Sequence, residues 1–105
     1  MANLDTGGIE FPYPYYITNI ANQILKQFRS TKRLTAEVRF VIQRDGSVDP
    51  TSIKPVTQSP DYSFNREALG AVEAAANAHV FGPLPAGFRE DILPVTFRFS
   101  PSVIK

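Results

Sequence analysis

The chain has 105 residues, of which 43% are hydrophobic and 20% are charged, so it can bury one core as a single globular domain. Eleven basic and ten acidic residues leave a net charge of +1, which gives no general electrostatic reason to bind nucleic acid or an anionic membrane. Because cysteine is absent, disulfides, thiol catalysis and thiolate metal sites are excluded. No signal-peptide pattern or bilayer-spanning stretch occurs, so the chain as written is predicted to be soluble.

The first part of the chain is predicted to be a lead-in followed by a helix. Residues 1–10 contain Gly7-Gly8 and show no hydrophobic period, which indicates a flexible segment ahead of a domain at 11–105. Pro14 suits the first position of a helix. Between Tyr15 and Arg29 the apolar residues recur at the three-and-four spacing of one helical face, namely Ile17, Ile20, Ala21, Ile24, Leu25 and Phe28. This segment is therefore predicted to be an amphipathic helix that packs on the core.

The run from Leu34 to Gln43 is predicted to be the central strand. Its apolar residues alternate with mostly polar ones, and the only apolar residue on the polar side is Val41. That pattern indicates an antiparallel sheet covered on one face. Asp45-Gly46 follows and supplies the positive φ angles of a tight hairpin turn. The next segment, residues 48–58, should fold back as an edge strand, because its two prolines lack the N–H that an inner strand donates.

Two further elements complete the predicted fold. A second helix is expected from Phe64 to Ala78, capped by Ser63 or Asn65, with an alanine-rich face that allows close packing. After a Pro- and Gly-rich loop, residues 91–100 alternate again and are predicted to be the third strand. The predicted fold class is α+β, in the order helix, strand, strand, helix, strand. Its three-stranded antiparallel sheet has the order 2-1-3, with both helices on one face.

Pro94 determines which edge of the third strand is available. Backbone groups of an antiparallel strand alternate in direction, and Pro94 has no N–H to give the central strand. The backbone groups of Pro94 should therefore point away from the central strand. Those of Thr96 and Arg98 should point the same way and be free for a partner. Two interpretations remain open, because an outward proline also protects an edge from aggregation.

Catalysis is the poorer interpretation of the polar residues. The single histidine, His79, follows a helix and is more typical of a C-terminal cap than of a base. Glu90 and Asp91 are neighbours in a predicted turn, which is typical of a solvated loop. Phosphate-binding glycine loops, nucleophile elbows and metal-ligand clusters are absent from the sequence, so no enzyme, metal or cofactor is predicted.

Several strings, in the same order along the chain, resemble the C-terminal domain shared by the TonB and TolA energy-transducing proteins of Gram-negative envelopes. The resemblance covers about residues 11–100. It rests on the helix that starts near Tyr15 and on four strings: Val38-x-Phe-x-Ile-x-x-Asp-Gly, Phe64-Asn-x-x-Ala-Leu-x-Ala-Val, Gly82-Pro-Leu-Pro and Val95-x-Phe-x-Phe. The chain departs from the family at Gln58-Ser59-Pro60, where such domains often have a Ser-Ser-Gly turn.

The resemblance implies a periplasmic, non-enzymatic module whose parent protein is anchored in the inner membrane and binds a proton-driven motor there. Such domains bind an extended peptide of an outer-membrane or periplasmic protein by adding it to the sheet. The residues expected to contact that peptide are Ile92, Pro94, Thr96, Arg98 and Ser100, with Tyr13 and Pro14 alongside. A TolA-like envelope-integrity domain and a self-associating structural domain remain as alternatives, and the oligomeric state is expected to be a monomer or a weak edge-paired dimer.

Overall fold

The computed structural model describes residues 4–100 and contains a four-stranded antiparallel sheet with two helices. The sheet strands are β1 (Leu4–Asp5), β2 (Ala36–Gln43), β3 (Lys54–Thr57) and β4 (Ile92–Phe99), and the helices are α1 (Pro14–Gln27) and α2 (Tyr62–Asn77). A short 3₁₀ helix, Pro50–Ser52, precedes β3. None of the helices within residues 4–100 has the length and apolar character needed to cross a bilayer.

The strand order is β1-β4-β2-β3, which corrects the predicted three-stranded sheet. β2 lies between β3 and β4, and each of these neighbours runs antiparallel to it. The fourth strand, β1, comes from the segment interpreted as a flexible lead-in, and it pairs with the far side of β4. The prediction of three strands is therefore wrong, because two residues of the lead-in extend the sheet.

One face of the sheet forms the core, and both helices contribute side chains to it. Buried and less buried residues alternate along β2 and β4, as the hydrophobic pattern predicted. The buried set on the two strands comprises Ala36, Val38, Phe40, Ile42, Leu93, Val95, Phe97 and Phe99. Each fully buried aliphatic or aromatic side chain contributes about 1.5–3 kcal/mol of transfer free energy before the entropy of ordering is subtracted.

The helices begin where their local chemistry favours a helix start. Pro14 occupies the first turn of α1, where a missing N–H costs nothing, as predicted. In α2 the N-cap is Asp61, whose Oδ1 accepts a hydrogen bond from the Phe64 N–H at 2.9 Å. The expected caps, Ser63 and Asn65, are wrong because both lie inside the helix. The alanine-rich face of α2 is buried, with Ala68 and Ala75 fully inaccessible to solvent.

Arg44 holds the second half of the loop between α2 and β4. Arg44 follows β2, and its guanidinium donates to the carbonyl oxygens of Pro85 at 3.2 Å, Phe88 at 2.6 Å and Glu90. Its own carbonyl accepts from the Leu84 N–H at 3.0 Å. These bonds fix the residues that lead directly into β4, and so they position the start of the candidate site.

Candidate functional site at the edge of β4

The side chains of four predicted site residues lie along one face of β4. Ile92, Pro94, Thr96 and Arg98 alternate with the four buried residues of the strand, so they occupy the face turned away from the core. Ile92 and Arg98 are exposed, and Pro94 and Thr96 are partly exposed. Ser100 lies just beyond β4 and is buried, which separates its side chain from the exposed set.

The direction of the backbone groups in β4 follows from contacts of β2. Val41 donates its N–H to Ser52 Oγ at 3.0 Å, and Gln43 donates to the Ser47 carbonyl at 2.7 Å. Both donors point to the β3 side, although Val41 lies opposite Pro94 on β4. Because backbone groups alternate, Val41 and Pro94 form a non-hydrogen-bonded pair. Pro94 and Thr96 therefore direct their backbone groups away from β2, in agreement with the sequence argument.

That outward side of β4 is paired with the chain's own β1. Leu4 lies opposite Phe97 and Asp5 lies opposite Thr96, in antiparallel register. The expectation that Thr96 has free backbone groups is therefore wrong in this structure, since Asp5 is its partner. The alternation that turns Thr96 outward makes Asp5 and Thr96 the hydrogen-bonded pair of this short ladder.

A tight turn positions β1, and the sequence contained a signal for it. Gly7 and Gly8 have φ values of 66° and 85°, the positive pair that a type I′ turn requires. The Ile9 N–H bonds to the Thr6 carbonyl at 3.2 Å, and Thr6 Oγ1 donates to the Ile9 carbonyl at 2.8 Å. Adjacent glycines are typical both of flexible linkers and of tight turns, and here they form the turn.

The opposite edge of the sheet, β3, is irregular. All four residues of β3 are exposed, but Pro55 lacks an N–H, and the pairing with β2 shifts register between Glu37 and Val38. Prolines and bulges both interrupt the row of donors and acceptors that an added strand needs. The β4 edge is the more regular of the two, since its ladder with β2 continues over eight residue pairs without a register shift.

Tyr13 belongs to an aromatic cluster at the start of α1, and Pro14, the next residue, is exposed in the first turn of the helix. The Tyr13 ring contacts Phe11, with ring centroids 5.0 Å apart, and a Cβ at Gly87 would lie 2.6 Å from its hydroxyl. Phe11 in turn contacts Phe88 at 4.9 Å. These contacts join Tyr13 to the loop before β4.

Charged side chains surround Thr96 on the open face of the sheet. Arg39 lies opposite Thr96, and Arg98 lies opposite Glu37. Arg39 is also opposite Lys54 on β3, and like charges in such positions repel. Glu37 accepts a hydrogen bond from Thr57 Oγ1 at 2.7 Å. This face could therefore accept a carboxylate close to Arg39 or Arg98.

The residues considered for catalysis are exposed and lie outside the helices and strands. His79 is exposed, has a φ of 54° and donates its backbone N–H to the Ala76 carbonyl at 3.2 Å. Glu90 and Asp91 are exposed on the loop that Arg44 holds. Within residues 4–100 no group of three or more His, Asp or Glu side chains could hold a metal ion.

Fold and edge together define a small α+β module with an outward-facing strand as its candidate interaction site. The family model described as TonB C terminal matches residues 13–99, and the chain belongs to this family. A solved structure, the NMR solution structure of the Helicobacter pylori TonB C-terminal domain, is 25% identical to the chain and has a TM-score of 0.60. The match covers 89% of this chain and 82% of that one. No curated protein matches the sequence.

Domains of this family are periplasmic modules of energy transduction or protein interaction, and the family suggests protein partners such as outer-membrane transporters.

Proposed function

We propose that this domain is the periplasmic peptide-binding module of a TonB-like energy transducer. Its parent protein, anchored in the inner membrane, would couple a proton-driven motor there to outer-membrane transporters. The coupling contact would be an extended segment of the transporter added to the edge of β4. One observation carries the proposal: β4 turns the backbone of Thr96 outward, and a segment of this same chain already pairs with it.

The choice of β4 over β3 follows from the regularity of the two edges. A strand added to β3 would meet Pro55 and the register shift, whereas β4 forms an unbroken ladder on its inner side. Pro94 interrupts the outer side of β4 at one position only. The added strand would therefore centre on Thr96, with Arg98 and Ile92 flanking it.

Side chains on the open face would then select the partner. The guanidinium of Arg98 is exposed and is available to a carboxylate of the added segment, as is that of Arg39 across the ladder. Ile92 is 49% exposed and offers an apolar contact at the start of the strand. Tyr13 is in the aromatic cluster that reaches Phe88 in the loop before β4, and Tyr13 and the adjacent Pro14 are proposed as flanking contacts.

An amide NMR titration tests the proposal. Short extended peptides from the N-terminal regions of outer-membrane transporters of the same organism are added to the folded domain. We expect shifts concentrated at residues 92–100 and around Tyr13. If several such peptides leave these amides unmoved and the molecular mass rises with concentration, the edge pairs with a second copy, and the self-associating alternative replaces the proposal.

Substitution of Thr96 locates the contact. Thr96→Pro removes one outward N–H and should abolish peptide binding, while the circular dichroism spectrum stays near that of the wild type. Thr96→Val is the matched control, because it keeps the N–H and the β-branched shape, and it should bind normally. Peptide affinity that survives Thr96→Pro in a folded chain would contradict the assignment of this edge.

A further inference from the structure

The structure places a segment of the chain itself where the proposed partner would bind. We infer that β1 is an internal competitor for the β4 edge, which a partner peptide must displace before it pairs with Thr96. The inference rests on the proposed function and adds a regulatory step to it. Only one strand can pair with a given side of β4, because each outward N–H and C=O is satisfied by a single neighbouring strand.

Register makes the competition direct. Asp5 lies opposite Thr96, the residue at the centre of the proposed docking edge, and Leu4 lies opposite Phe97. Leu4 is partly buried and packs against the hydrophobic core, whereas Asp5 is exposed. The alternation of an apolar and a polar residue therefore matches the covered and open faces of the sheet, as a genuine edge strand requires. A peptide at Thr96 and β1 cannot occupy this edge together.

Contacts within the turn hold β1 in place only weakly. Asp5 Oδ1 accepts from the Gly7 N–H at 2.9 Å, and Thr6 and Ile9 bond to each other across the turn. Strand β1 is two residues long, and the side-chain hydrogen bonds that Asp5 and Thr6 make, to the Gly7 N–H and the Ile9 carbonyl, are local to the turn. Short terminal elements of this kind open with small free energies, so β1 can leave without unfolding the domain.

Tethering nevertheless makes β1 an effective competitor. A segment joined by a short linker acts at an effective concentration on the order of millimolar. The apparent affinity for a peptide is then reduced by the fraction of molecules whose edge is open. Weakening β1 should therefore strengthen peptide binding, and locking β1 should prevent it.

The first test weakens β1 with Asp5→Pro, which removes the N–H that faces Thr96. The control is Asp5→Asn, which keeps both the N–H and a side-chain acceptor for the Gly7 N–H. In the chain without peptide, the Thr96 amide should exchange with solvent faster in Asp5→Pro than in Asp5→Asn. With the transporter peptide that binds most tightly, Asp5→Pro should gain affinity by about threefold or more, and Asp5→Asn should match the wild type.

The second test locks β1 with a disulfide. Because the chain has no cysteine, the double substitution Asp5→Cys and Thr96→Cys introduces a single pair. A hydrogen-bonded antiparallel pair has Cα atoms about 5.5 Å apart, which suits a disulfide. The oxidised protein should not bind peptide, and a reducing agent should restore binding.

The outcomes separate the inference from the function on which it rests. Binding that is equal in wild type, Asp5→Pro and the oxidised double variant overturns the competition and leaves the proposed docking function intact. Loss of binding in all variants, including Asp5→Pro and the reduced double variant, overturns the proposed function and the inference together. Tighter binding in Asp5→Pro with no binding in the oxidised variant supports both.

Discussion

Gly46, in the turn after β2, packs directly on Gly82 in the loop after α2. A Cβ at Gly46 would overlap the Gly82 carbonyl oxygen and lie 2.5 Å from its carbonyl carbon. Gly46 also has a φ of 91°, which residues with a side chain rarely adopt. The β2 hairpin and the distant loop therefore meet backbone to backbone, and this contact needs glycine at position 46.

Replacement of Gly46 should destabilise the domain. Gly46→Ala combines a strained φ with an overlap on the backbone of Gly82, so we expect a loss of about 2 kcal/mol or more in the free energy of unfolding. Gly70→Ala is the matched control. Gly70 lies inside α2, and an added Cβ there would have no neighbouring atom within 4 Å outside the helix's own backbone. It should stabilise the domain by about 0.5–1 kcal/mol. Urea unfolding measures both, and equal effects would contradict the packing argument.

Asp61 should make the stability of α2 sensitive to acid. Its pKa is held well below the usual range, first by Lys32, whose Nζ lies 2.8 Å from Oδ2, and then by the Phe64 N–H and Ser63. Because the pKa is lower in the folded state, ionised Asp61 stabilises the fold above the unfolded pKa of about 4. This stabilisation is lost as the pH falls from about 4 toward the folded pKa. Asp61→Asn keeps the cap but not the charge. It should be less stable than the wild type at pH 7, and the gap should close in acid. Unfolding midpoints that fall in parallel with pH would contradict this role.

Ionisation of Tyr16 should be delayed to strongly alkaline pH. Burial, with a smaller effect from Tyr15, raises the pKa of Tyr16 to about 12, and its hydroxyl donates to the Gly82 carbonyl at 2.7 Å. The folded pKa is above the unfolded value of about 10, so the protonated Tyr16 hydroxyl contributes its full stabilisation below about pH 10. That stabilisation is lost as the pH rises toward about 12. Alkaline absorbance titration should show a late phase that is missing in Tyr16→Phe. Loss of the hydrogen bond should also cost about 1 kcal/mol. A late phase that persists in Tyr16→Phe would assign it to another tyrosine.

The small face of α2 should not tolerate bulk. Ala71 is on the buried face of α2, is 2% exposed and belongs to the core. Ala71→Leu forces extra volume into a filled space and should cost about 1–3 kcal/mol. The same substitution at the exposed Ala78 adds the same atoms outside the core and should change the free energy of unfolding by less than about 0.5 kcal/mol. If the two variants unfold at the same denaturant concentration, α2 does not pack as closely as described.

The sequence predicted the parts of the fold in which a periodic hydrophobic pattern runs over many residues. The alternation in β2 and β4 fixed their buried faces, and Pro94 correctly indicated which backbone groups of β4 turn outward. These features depend on local stereochemistry, which a single sequence contains. The turn at Asp45-Gly46 was predicted on the same grounds; the chain does turn there, with a positive φ at Gly46 but not at Asp45.

The missed elements are short or depend on distant partners. β1 has two residues, too few to show a period, and its place in the sheet depends on β4, far along the chain. The cap of α2 was assigned two or four residues too late, to Ser63 or Asn65, because these residues and Asp61 are all competent caps and the choice depends on where the helix packs. The expectation that Thr96 has free backbone groups was wrong because β1, which pairs with Thr96, was not predicted.

Arg44 joins the candidate site to the rest of the domain through main-chain contacts alone. Its three acceptors are the backbone carbonyl oxygens of Pro85, Phe88 and Glu90 rather than carboxylates. Every residue type carries such a carbonyl oxygen, so the side chains of the segment that leads into β4 can be replaced without removing an acceptor. The start of β4 therefore depends on the arginine at position 44 and on the path of the backbone, and not on the side chain of Glu90.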